Sequence, residues 1–166
     1  MERTEMKTIF LICAPEPLTF GFMRPEIKNE IIENGLPPLD WQRIKCLQIG
    51  DTPVSAAIIK AFDKHCQKEF KKKYGDHGHL ELNYLGADDT LLNPEKFPDC
   101  EGMGDHLRHL ANLIGPAENC LAVADARAIK IMLGLDSRSR KQIKPLSVYK
   151  IKISAQNRVD VSTLAA

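Results

Sequence analysis

Few side chains in this sequence have both the type and the spacing that chemistry requires. Cys13 ends an apolar run and is followed by Ala14, Pro15 and Glu16. A thiolate of lowered pKa is a nucleophile. The C-x5-R phosphate loop that would arm it is missing, because Thr19 stands at the arginine position. Asp125 and Arg127 flank Ala126; together they form a local ion pair at a helix start, or Arg127 holds an anion. His106 and His109 are spaced i, i+3 beside Asp105, as metal ligands on one helix face would be. They lie opposite Leu107 and Leu110, which reads as a solvated polar face. His77 and His79 belong to a Gly-rich turn. No metal site is expected.

Other chemistries lack their motifs. Neither G-x-G-x-x-G nor G-x-x-x-x-G-K-[ST] occurs, so the chain has no glycine-rich phosphate cradle and no nucleotide cofactor is expected. There is no G-x-S-x-G nucleophile elbow. The five cysteines are odd in number and none pairs as C-x-x-C. They read as reduced, mostly buried thiols of a cytoplasmic protein. The basic runs Lys71-Lys72-Lys73 and Arg138-Ser139-Arg140-Lys141 carry no interleaved aromatics, so nucleic acid is not an expected partner. Net charge is +1, from 23 Lys and Arg against 22 Asp and Glu, which gives no global pull toward polyanions. No apolar run approaches the length of a membrane span, and the start lacks the features of a signal peptide.

The elements that must position these residues follow from patterning. At 166 residues, 43% hydrophobic and 27% charged, the chain reads as one globular domain over residues 1–166, with its core roughly at 7–154. Thr8 to Cys13 (TIFLIC) is a strand buried on both faces. Pro25 to Asn34 is a helix with Ile27, Ile31 and Ile32 on one stripe, a proline in its first turn and Gly35 at its stop. Ile44 to Ile49 is a second strand. Thr52 caps a helix carrying Val54, Ala57, Ile58, Ala61 and Phe62, which runs to the Lys71–Lys73 cluster. Leu80 to Leu85 alternates like a strand, and 86–102 reads as a long loop. Leu107 to Ile114 is an amphipathic helix, Cys120 to Ala124 a buried strand, and Ile129 to Leu133 a short helix closed by Gly134. Tyr149 to Ile153 alternates with period two.

Strands that alternate with helices predict a three-layer α/β/α sandwich around a mostly parallel sheet. Ligands of such folds bind beyond the strand carboxyl ends. Those ends are 13–16, 50–52 and 125–127.

At these three places the sequence resembles the histidine phosphatase superfamily, whose fold is phosphoglycerate-mutase-like. The family's first strand ends in L-[IV]-R-H-G-E, and here Leu11-Ile12-Cys13-Ala14-Pro15-Glu16 stands there. Pro17-Leu18-Thr19 follows, as in many members. S-P-x-x-R-A-x-x-T-A is matched in register by Thr52 to Ala61. V-V-S-H-G-G-V-I-R-x-L-L-G is matched without a gap by Ala122 to Gly134. The resemblance implies that Cys13 and Ala56 occupy the two phosphate-binding arginine positions, Ala14 the nucleophilic histidine position and Asp125 the second histidine position. Glu16 keeps an acidic position, and Glu81 matches the region of the proton-donating glutamate.

All four central groups are thus replaced. A phosphohistidine mechanism needs an imidazole nitrogen, and alanine supplies no nucleophile. The lost guanidinium groups would have neutralised the equatorial oxygens, and removing one such donor costs about 10²- to 10³-fold in rate. Asp125 would set negative charge beside a phosphate. The expectation is a catalytically inactive relative that binds an unknown protein or a small anionic ligand, with no membrane or nucleic-acid partner. Its ligand-binding residues would be Cys13, Ala14, Glu16, Ala56, Asp125 and Arg127. The alternative is an enzyme working through Cys13, Asp125, Glu16 and Glu81.

Overall fold

The structure, a computed structural model, describes residues 7–15, 23–49, 52–87, 119–124, 126, 129–130, 143–154 and 158–165. Among the described residues, six strands form one sheet: β1 (Lys7–Cys13), β2 (Cys46–Ile49), β3 (Asn83–Ala87), β4 (Asn119–Ala124), β5 (Val148–Ile153) and β6 (Val159–Ala165). Their order across the sheet is β3-β2-β4-β1-β5-β6. β1 pairs parallel with β4, and β2 parallel with both β3 and β4. The parallel half carries the apolar runs read as two-faced strands, with Ile9, Leu11, Ile12, Leu121 and Val123 fully buried.

The other half turns antiparallel. β5 runs against β1, and β6 against β5. A hairpin needs no crossover helix, so β6 follows β5 closely and extends the sheet. The sequence reading ended its core at residue 154 and placed no strand there. Its register is legible afterwards: Val159 and Val161 pack on the core beside Ile151 and Ile153, while Asp160 and Ser162 are exposed.

Among the described residues, two helices cover one face. α1 (Pro25–Asn34) and α2 (Pro53–Tyr74) have the bounds the sequence predicts. Thr52 accepts a bond from Ser55 N at 3.1 Å, and Lys71–Lys73 occupy the last turn of α2. Ile31 of α1 and Val54, Ile58, Ile59 and Phe62 of α2 close over Ile12, Leu47, Leu121, Val123 and Val148. Gly35 ends α1 at φ 72° and ψ −152°, a region open almost only to glycine. A Cβ there would meet the buried His65 ring at 2.7 Å, so the glycine serves both the turn and the close approach of α2.

One strand moves from its expected place. The expected strand Leu80–Leu85 and the loop beginning at Gly86 give way to β3 over Asn83–Ala87. Leu80 is held outside the ladder by the Gln67 side chain. Gln67 Nε2 donates to Leu80 O at 2.7 Å, and Leu80 N donates to Gln67 Oε1 at 2.9 Å. An amide that takes both backbone groups replaces a strand partner. Pairing begins only where Asn83 N donates to Lys45 O at 3.1 Å. The expected helix Leu107–Ile114 and most of the Gly86–Gly102 loop lie outside the described residues. Of the helix expected after β4, Ala126, Ile129 and Lys130 are described, and they are helical.

Candidate functional site

The two middle strands of the sheet, β1 and β4, finish side by side. Cys13 is the register partner of Ala124, and Ala14 N donates to Ala124 O at 2.8 Å. On the opposite side Cys13 N donates to Ser147 O at 3.1 Å, and Cys13 O accepts from Leu146 N at 2.8 Å. The Cys13–Ala14 backbone is therefore clamped from both flanks. The second clamp is a turn closed by Ser147 N to Lys144 O at 3.1 Å. Pro145 suits its second position, and Leu146 sits at φ 63°. A leucine there costs of order 1–3 kcal/mol in backbone strain. The Leu146 side chain offsets this by packing against the α1/α2 core.

Over this junction opens a cleft of about 350 Å³. Cys13, Ala14 and Pro15 line it from β1, and Ala126 from beyond β4. Arg24 and Ile27 line it from the start of α1, and Ile143 and Pro145 from the segment before β5. Arg24 is the N-cap residue of α1 and makes no side-chain cap bond. It is the one charged residue among the described lining residues. Cys13 is only 1% exposed. Its neighbour Tyr149 has its hydroxyl pKa pushed up, chiefly by burial and secondly by the Cys13 sulfur.

The site residues predicted from sequence divide into three groups. Cys13 and Ala14 line the cleft. Ala56, in the first turn of α2 where its N donates to Thr52 O at 3.1 Å, is not among the described lining residues. Glu81 is exposed, precedes β3 and does not line the cleft; the strand shift set by Gln67 accounts for its position. Glu16, Asp125 and Arg127 lie outside the described residues, as do His106, His109 and the basic run 138–141. His77 and His79 sit exposed after the end of α2. Among the described residues no three potential ligands gather for a metal ion.

Arg24, Ile143 and Pro145 were not singled out from sequence. Arg24 had a usable signal, since it immediately precedes the predicted Pro25 helix start, and helix starts lie at the carboxyl edge of such sheets. Ile143 and Pro145 had none, because they reach the cleft only through the antiparallel return of β5.

Outside the cleft, Cys46 and Cys120 are opposed in register between β2 and β4, and both are fully buried. Their mutual hydrogen bond moves the Cys46 thiol pKa down and the Cys120 thiol pKa up. Burial pushes the Cys66 thiol up to about 12.

Comparison with known proteins adds little. No family model matches the sequence, and no curated protein matches it. Among solved structures, the chain aligns with a crystal structure from Escherichia coli K-12, of a protein provisionally named an alpha-ribazole-5'-P phosphatase. The alignment covers 96% of this chain and 96% of that one, at 11% sequence identity and a TM-score of 0.45. That likeness bears on neither activity nor substrate. No described helix is long and apolar enough to cross a membrane.

Proposed function

We propose that this chain is a catalytically inactive histidine-phosphatase-like protein, one cytoplasmic domain whose cleft serves binding or regulation. The observation that carries the reading is the Cys13–Ala14 pair at the carboxyl end of β1, clamped on the cleft floor. Transfer of a phosphoryl group through a covalent enzyme intermediate needs a nucleophile in line with phosphorus and cations around its equatorial oxygens. At the floor stand a methyl group and a thiol. One arginine lines the cleft among the described residues. A recess of this volume whose described walls are mostly aliphatic, with Arg24 as a polar anchor, suits capture of a small molecule or a side chain from a partner.

A second reading, an enzyme built on Cys13 with Asp125, Glu16 or Glu81 as acid or base, draws on one observation: Cys13 lines the cleft. The exposed position of Glu81 weakens it. A steady-state assay with p-nitrophenyl phosphate, run on wild type beside Cys13→Ser and Asp125→Asn, separates the two. The inactive reading predicts hydrolysis at the buffer rate for all three proteins. Saturable turnover lost in either variant would establish the enzyme.

A further inference from the structure

The cleft walls carry a chemical preference that differs from phosphate. Ala14, Ile27, Ala126 and Ile143 present hydrocarbon, and Pro15 and Pro145 add ring carbon. Arg24 supplies the charged group among the described lining residues. A phosphate dianion is held well when several donors converge on its oxygens, whereas one guanidinium matches one carboxylate through two parallel bonds. The space also fits: about 350 Å³ corresponds to roughly ten water volumes of about 30 Å³ each, room for a short alkyl chain.

We propose that the cleft takes a small amphipathic monocarboxylate, its head at Arg24 and its alkyl body along Ala14, Ile27, Ala126 and Ile143. This rests on the cleft being a binding site, not on its lack of catalysis. The test is a ¹⁵N–¹H NMR titration of the full chain with propanoate, butanoate and hexanoate, beside inorganic phosphate and hexanol. Affinity should tighten roughly fourfold with each methylene that enters the cleft. The largest shifts should fall on the amides of Ala14, Ile27 and Ala126. Hexanoate should bind more tightly than either phosphate or hexanol. Arg24→Gln should weaken every carboxylate by about tenfold, the loss expected when a hydrogen bond to a charged group is removed, and leave hexanol unchanged. Arg24 is exposed and makes no cap bond, so the variant keeps its fold, and its melting temperature checks that. A flat series, phosphate binding above hexanoate, shifts elsewhere, or indifference to Arg24→Gln would each overturn the assignment. These outcomes leave the inactive reading standing, because that is overturned by turnover in the ester assay or by a phosphorylated intermediate.

Discussion

At β2 and β4 the two faces of the sheet are built from different sizes of side chain. β4 shows it most simply: Leu121 and Val123 point to the α1/α2 side, while Cys120, Ala122 and Ala124 point to the other. β2 repeats the contrast, with Leu47 on the first side and Cys46 on the second, whereas on β1 the large Ile9 and Leu11 lie with Cys13 on the second side. The α1/α2 face is a filled core of branched aliphatics around Phe62. Along β2 and β4 the opposite face lets whatever covers it approach closely, and the cleft opens at the carboxyl end of the sheet, lined by Cys13, Ala126 and Ile143 from that face and by Ala14 and Ile27 from the α1/α2 side.

Truncation breaks this comparison most directly. Phe62→Ala, at a fully buried position, should cost about 3–5 kcal/mol in urea unfolding. Cys120→Ala, equally buried but small, should cost about 1 kcal/mol for the atom removed. Equal losses at the two sites would refute the asymmetry. Enlargement sharpens the comparison from the other side. Ala122 is fully buried, and Ala122→Leu should lose about 1–3 kcal/mol by overpacking. Neutral behaviour would mean that the small-residue face is loosely covered.

The smallest effect concerns pH on the filled side. Cys66 has a folded pKa of about 12 against an ordinary 9.0, chiefly through burial. The unfolded thiol ionises first. Its contribution to stability is thus complete below pH 9 and declines as pH rises toward 12. Denaturant midpoints measured from pH 8 upward should fall less in Cys66→Ala than in wild type.

Much of the filled face was legible because its rules are local. Pro25, Gly35, Thr52 and the spacing of Ile58, Ala61 and Phe62 fix both helices without tertiary information. The shift of β3 was not legible, since it depends on the Gln67 side chain meeting Leu80 from another element. β6 was missed for a related reason: Val159-Asp160-Val161 is a short alternation that gains meaning only beside β5. At the cleft, Cys13 and Ala14 could be found from the end of an apolar run. Ile143 and Pro145 could not, because an antiparallel return brings them there.

The proposed inactivity implies that no covalent phosphoryl intermediate forms on this chain. Incubation with acetyl phosphate followed by intact mass measurement at neutral pH tests it directly. The account predicts no phosphoryl adduct at any time point, whatever uncatalysed acetylation of lysines the reagent causes. A phosphorylated species mapping to a histidine or to Cys13, consumed on dilution into fresh buffer, would contradict it.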